Sequence, residues 1–381
     1  MNTETIIKKA LELAPLSLEE GMVLYERLPL NELMLIAGEC REKHVPGREV
    51  GWIIDRNINI TNVCISGCKF CNFHCKISED RQYITTMDEY EKKIDGLIAV
   101  GGKQVLLQGG MHPKLGVDFY VRLFSDLKSR FPNVKLHALG PPEVAFLARK
   151  GRLSYREVLE KLVEAGMDSL PGAGAEILSD RVRKAISPGK CSTGEWLDVM
   201  REAHKMNLVT SATMMFGHIE SKEERLQHLI RLREVQAEKP QGAHGFVTFV
   251  PWPFMDEYTV LRQEGTRNTT TAGDYIRLVA ISRIMLNNVK NLQASWLTVG
   301  AATGQLCLYA GANDFGSIMM EENVVSAAGA NYTLNATGIQ QAIRDAGFLP
   351  RYRNQAYEDD ILPEKVTTKE QTYKHRAGKS I

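Results

Sequence analysis

The chain is nearly without net charge: 47 Lys and Arg against 46 Asp and Glu leave +1 over 381 residues. So even a balance creates no field that would draw nucleic acid or an anionic membrane, and neither is expected as a partner. No apolar run is long enough to span a bilayer. The opening stretch MNTETIIKKALELAP mixes polar and apolar residues at helical spacing and lacks the unbroken apolar core of a signal peptide. A cytoplasmic location is expected. Disulfide staples are also missing from the plan: seven cysteines is an odd number, and a chain of this size does not need them. Apolar residues at 44% and charged residues at 24% are ordinary for a soluble globular protein of one large or two medium domains.

What is present is a regular alternation. From residue 52 short β-rich runs are followed by helical patterns: WIIDRNINI, KQVLLQGG, VKLHALG, MDSLPG, LVTSATMMFG, GFVTFVP, NLQASWLTVG and NDFGS read as strands. Between them, TMDEYEKKIDGLIAVGG opens on a Thr86/Glu89 capping box and sets Tyr90, Ile94, Leu97 and Ile98 on one face. Ser154/Glu157 and Ser221/Glu224 mark two further helix starts in the same way. About eight βα units imply a parallel sheet and fit a closed (β/α)8 barrel of the TIM type, with an open doubly wound sheet as the alternative. The expected organisation is an N-terminal helical cap over 1–50, the barrel over 51–335, and a C-terminal helix with a polar, mobile tail over 336–381.

Against this background TNVCISGCKFCNF crowds Cys64, Cys68 and Cys71 into eight residues, whereas Cys40, Cys191 and Cys307 stand alone as small hydrophobes would. Spacings of four and three let three thiolates from one loop hold one metal centre and leave a position open. Thiolates favour zinc or iron–sulfur clusters over hard ions. Zinc would need a fourth ligand, for which His74 and Cys75 are the neighbours at hand. A coincidental grouping, an electron carrier and a zinc-stabilised binding module remain the other readings. Carriers, however, usually close all four positions with cysteine.

CxxxCxxC with Phe70 just before the third cysteine, placed after the first strand of a βα barrel, resembles the radical S-adenosylmethionine superfamily. The stretches NITNVCISGCKFCNF, LQGGMHP, GAGAEIL and SATMMFGH carry the likeness on to its futalosine and deazaflavin-precursor branch. The run from Gly311 to Ala328 is most similar to the member that joins a ribose to a benzoate ring in menaquinone formation. The resemblance implies a 4Fe-4S cluster on Cys64, Cys68 and Cys71, with S-adenosylmethionine on its open iron. It implies dehypoxanthine futalosine as the small-molecule substrate and an external electron donor such as flavodoxin or ferredoxin. Cofactor contacts are expected from Phe70, Gly109, Gly110, Glu176, Gly217 and Glu220. Met111 stands where the family's usual acid follows the two glycines.

His218 is a candidate ligand for the substrate, and plainer alternatives stand beside these readings: a tight turn for Gly109–Gly110, a helix-start acid for Glu176, an ordinary loop histidine for His218. A base near the ring is needed for rearomatisation, and His112, Asp314, Glu321 and Glu322 are the candidates at or after strand ends. Asp314 could equally cap a turn, and the MEEN acids could open a helix. Phe249, Trp252 and Trp296 are set either in the pocket wall or in the core.

Overall fold

The computed structural model describes residues 2–321, 323, 326–330 and 332–361. Glu322 and the basic tail from 362 lie outside them. The first strand comes in two pieces, β1 (Glu49–Ile53) and β2 (Asp55–Asn59), separated only by Ile54. The others are β3 (Gln104–Gln108), β4 (Lys135–Ala138), β5 (Ser169–Leu170), β6 (Val209–Phe216), β7 (Phe246–Pro253), β8 (Asn291–Leu292), β9 (Asp314–Ser317) and β10 (Leu349–Tyr352). β2 through β8 form one parallel sheet in sequence order, and β10, β1 and β9 form a second. The two join through β9. Ala294 N donates to Asp314 O at 2.9 Å and Asn313 N to Leu292 O at 3.0 Å on one side; Gly51 N donates to Asn313 O at 3.0 Å on the other. β9 thus links β8 back to the first strand, and eight strand positions close around one axis, as the alternation predicts.

Why the chain folds this way is plain in β2 and β6. In β2 Asp55, Asn57 and Asn59 face the axis, while Ile58 and the following Ile60 pack outward. In β6 Ser211, Thr213 and Met215 face inward and Ala212 and Met214 outward. Period two therefore separates a lumen that carries polar side chains on these strands from an apolar layer between strands and helices. That layer holds the core: Val105, Leu107, Leu136, Phe249 and their helix partners are fully or almost fully buried. The first three helices, α1 (Thr3–Leu11), α2 (Leu18–Arg27) and α3 (Leu30–His44), add a further layer against the barrel's own helices. Arg277, from the helix Ala272–Met285, fastens them by donating to Tyr25 O and Leu28 O.

All three anticipated capping boxes are formed. Some expectations need correction. NLQASWLTVG is strand only at Asn291–Leu292, then turns into the short helix Trp296–Val299. An unanticipated helix, Pro141–Gly151, starts on two prolines right after β4, where fixed φ angles suit a first turn. Ile98 is exposed rather than core-facing. Met320 and Glu321 are not helical.

Candidate metal and cofactor site

The cysteine loop leaves β2 and is pinned from three sides. Cys64 N donates to Cys75 O at 3.1 Å and Cys75 N to Asn62 O at 2.9 Å, so the returning chain braces it. Gly110 N donates to Thr61 O at 2.8 Å and Ile65 N to Met111 O at 3.2 Å, which ties it to the end of β3. Lys69 N reaches Ile186 O at 2.8 Å and Gly189 N reaches Ser66 O at 2.9 Å. Held so, Cys64, Cys68 and Cys71 all line one cavity of about 400 Å³ that runs down the barrel axis. Ser66 Oγ lies 2.9 Å from Cys64 Sγ and 3.2 Å from Cys68 Sγ. Cys75, a residue 1% exposed, is built into the backbone ladder and does not face the cavity, while His74 does.

The donor set fits a polynuclear cluster. Three thiols spread over one wall can each take one iron, whereas a lone zinc needs its ligands converged on a point. Among the described residues no group of three or more Cys, His, Asp or Glu converges in that way. Burial pushes the Cys68 thiol up to about 12, only partly relieved by Lys190 and Ser66, and burial likewise raises Cys71. A buried thiol in that condition is poorly ionised until a metal supplies the positive charge.

Gly109 and Gly110 are required here by contact. A Cβ on Gly110 would sit 2.1 Å from Val63 O, and one on Gly109 3.0 Å from Thr61 N. Both glycines line the cavity, as do Phe70 and Glu176. Glu176 is 4% exposed and adopts a left-handed backbone, φ 46°. Its Oε1 lies 2.5 Å from Lys190 Nζ, and that ammonium stands 5.3 Å above the Phe70 ring. Burial opposes the Lys190 charge, but the Cys68 thiol and the Glu176 carboxylate outweigh it and hold the ammonium above its usual range. Glu143, in the first turn of Pro141–Gly151, brings a third carboxyl to the wall. Burial lifts it to about 7 against the pull of Lys190, and its Oε2 has no hydrogen-bond partner.

The remaining nominated residues land elsewhere. Gly217 and Glu220 form the turn closing β6, off the cavity wall. The Glu220 carboxylate accepts from Gly217 N at 2.6 Å and His218 N at 2.9 Å and pairs with Arg225 at 2.7 Å. Burial works against that charge, yet His218 and Arg225 bring it down to about 2. His112 is buried in its own turn, where its Nδ1 accepts from Lys114 N at 3.1 Å. Asp314 opens β9 rather than ending it and is held by the Arg353 guanidinium, Nη2 to Oδ1 at 2.7 Å. Glu321 lies between Arg56, at 2.9 Å, and Lys93 of the helix Met87–Ala99. None of His112, Asp314 and Glu321 lines the cavity; among the described residues its carboxyls are Asp55, Glu143 and Glu176. Trp252 and Trp296 line the wall, whereas Phe249 belongs to the core. Lys190, Glu143 and the inward Asn57 and Asn59 escape motif reading. Only the asparagines carry a signal, the polar–apolar alternation of NINI.

Comparison with known proteins gives consistent matches. A Radical SAM superfamily model matches residues 58–232, and a model described as the CofH/MqnC C-terminal region matches 243–366. A cyclic dehypoxanthine futalosine synthase of Streptomyces coelicolor is 40% identical over 90% of this chain and 85% of its own. One of Halalkalibacterium halodurans is 39% identical over 94% and 95%. A 5-amino-6-(D-ribitylamino)uracil–L-tyrosine 4-hydroxyphenyl transferase of Methanothermobacter thermautotrophicus is 36% identical over 94% and 99%. Among solved structures, methylornithine synthase superposes with a TM-score of 0.69 at 19% identity, covering 92% of this chain and 98% of that one. A maturase of the FeFe-hydrogenase superposes at 0.72 and 15%, covering 93% and 77%. At those identities the two structures speak for the fold.

Proposed function

This chain belongs to the radical S-adenosylmethionine superfamily, in the branch marked by the CofH/MqnC C-terminal region, and from that premise we propose that it cyclises dehypoxanthine futalosine in menaquinone formation. The observation that carries the reading is the likeness, along nine-tenths of the chain, to two bacterial relatives of that name. The geometry agrees with it where chemistry would occur: three thiols on one wall of a deep cavity whose lining mixes apolar side chains with a few polar ones.

When bound there, the cluster and S-adenosylmethionine supply a 5′-deoxyadenosyl radical able to take the hydrogen at C4′ of the substrate's ribose. Over the whole reaction the substrate gains one carbon–carbon bond to its benzoate ring. It loses two hydrogens: one as an atom to the 5′-deoxyadenosyl carbon, and one as a proton to a base with an electron that would return to the cluster. Cys64, Cys68 and Cys71 hold the cluster, and Ser66 and Lys190 offset the charge on their sulfurs. Glu176, fixed by Lys190, would bind the hydroxyls of the nucleoside, and Phe70 and the Gly109–Gly110 backbone would shape its seat. Trp252, Trp296 and Met215 keep water from the reacting carbon. Glu143, with one free oxygen on the wall, is the carboxyl suited to receive the ring proton. The reading needs an external one-electron donor of the flavodoxin or ferredoxin kind and a cytoplasmic setting; no helix among the described residues is long and apolar enough to cross a membrane.

The test is anaerobic reconstitution with iron and sulfide, then incubation with S-adenosylmethionine, dithionite and dehypoxanthine futalosine. The expected product is two hydrogens lighter than the substrate and appears with 5′-deoxyadenosine. Turnover only when tyrosine and 5-amino-6-(D-ribitylamino)uracil are supplied would replace this reading with that of the archaeal relatives.

A further inference from the structure

Below the thiols, the barrel axis carries polar groups for which the cluster has no use. The first strand puts Asp55, Asn57 and Asn59 on the cavity wall at alternate positions, each pair about 7 Å apart along the strand. Asn59 is the nearest of them to the cysteine loop, so Asn57 lies a full step deeper. Its neighbour in register is Leu106 of β3, which in turn faces His137 of β4. Across the lumen Thr248 of β7 stands beside Ser211 of β6. The chain after β10 returns beneath them, and a tight turn, Tyr357 N to Asn354 O at 3.2 Å, brings Tyr357 onto the same wall.

Asn57 Oδ1 is buried here with no hydrogen-bond partner, while the Tyr357 hydroxyl has Thr248 and Asp314 as its neighbours. Asn57 and Thr248 are each 3% exposed, and both line the cavity with Tyr357. Buried polar groups are nearly always paired, so an orphaned amide oxygen on the same cavity wall as two hydroxyls calls for an explanation. Tyr357 also holds a left-handed backbone, φ 65°, uncommon for an aromatic residue, with its ring 3.9 Å from the Arg353 guanidinium. That guanidinium is already neutralised by Asp314, and Asp55 stands close by on the wall. The lower end therefore suits neutral hydroxyls rather than a carboxylate.

We infer that the floor of the barrel is a hydroxyl-recognition subsite, in which Asn57, Thr248 and Tyr357 bind the polyhydroxylated sugar part of the substrate. The inference rests on the proposed cyclisation and deepens it: a ribose freed of its base presents several hydroxyls, for which one amide oxygen and two hydroxyl groups are complementary. Both Thr248 and Tyr357 fall within the C-terminal family region, residues 243–366. The turn that follows β10 is thereby part of the substrate site.

The test is equilibrium binding to the anaerobically reconstituted enzyme with S-adenosylmethionine present, which needs no turnover. The ligands are dehypoxanthine futalosine, its 2-deoxyribose analogue and 5-amino-6-(D-ribitylamino)uracil. The wild type is expected to bind at least one of the two polyols and to bind the deoxy analogue about tenfold more weakly than its parent. Thr248→Val, Asn57→Leu and Tyr357→Phe should each weaken polyol binding about tenfold or more, with wild-type iron content and melting temperature. At least one of them should narrow the gap between parent and analogue. Unchanged affinity in folded Thr248→Val and Tyr357→Phe proteins would overturn the inference, and so would a wild type that binds neither polyol. Hydroxyl-dependent binding without any cyclised product would sink the proposed reaction while supporting the floor.

Discussion

Gly110→Ala is the sharpest probe of how the barrel presents its thiols. The added Cβ would sit 2.1 Å from Val63 O, 2.6 Å from Val63 C and 2.8 Å from Cys64 Cβ. Contacts of that kind do not occur below 3.0 Å, so backbone must separate by close to 1 Å, and no flexible side chain can yield instead. The backbone that moves carries Cys64. It also carries the link from Met111 N to Cys64 Sγ at 3.3 Å and that from Ile65 N to Met111 O at 3.2 Å. Overpacking of this sort costs about 1–3 kcal/mol, which for a chain of this size lowers the melting temperature by only a few degrees. The larger effect falls on the cluster, because one thiol is displaced while the other two stay. Iron and sulfide content after anaerobic reconstitution should fall well below wild type, and 5′-deoxyadenosine formation should fall with it. The control is Gly194→Ala, in the helix Thr193–Lys205, where a Cβ meets nothing within 4 Å and should stabilise by about 1 kcal/mol. A Gly110→Ala protein with full iron content and wild-type 5′-deoxyadenosine formation would refute the claim that this contact sets the loop.

Two further predictions concern the buried charges. Folding lifts the Glu143 carboxyl to about 7, so between its ordinary value and 7 the folded chain holds a proton that the unfolded chain releases. Stability before cluster loading should then decline as pH rises through that window, by up to about 1.4 kcal/mol per unit. Glu143→Gln should remove this slope in urea titrations from pH 5 to 7, and an unchanged slope would assign it to another group. Arg353→Met strands the fully buried Asp314 and should cost about 3–5 kcal/mol in chemical denaturation. Adding Asp314→Asn should restore most of it; equal losses in the single and double variants would mean the pair does not act as a unit.

The cysteine loop and the βα order were legible because both depend on local spacing. Thiols four and three residues apart, or a Thr86/Glu89 box before an apolar face, mean the same thing wherever the chain goes next. The acids were not legible for the opposite reason. Glu321 follows a strand in sequence as Glu176 does, and Asp314 opens one, yet distant partners decide where each points: Arg56 and Lys93 hold the first outside the barrel, and Arg353 holds the second below it. Glu220 shows the same effect within one turn, its carboxylate folded back on Gly217 N by Arg225.

A barrel lumen is assembled from strands that are far apart in sequence, so only alternation within each strand announces which side chains share it. In NINI that alternation is visible and unusual, since amide side chains take the inward positions where a closed barrel normally packs branched apolar residues. Placing asparagine, serine and threonine in layers along an axis gives up core packing and leaves polar atoms to be paired. Asn59, Ser211 and Thr213 find partners within the protein, in Asn323, Gly172 N and Gly172 O, whereas Asn57 Oδ1 does not, and a sugar-bearing ligand entering beneath the thiols would pair it. The polar positions of the lumen and the three-thiol mouth are thus two ends of one requirement. The radical must be made at the mouth, and the carbon it attacks must be held still by the hydroxyls beside it.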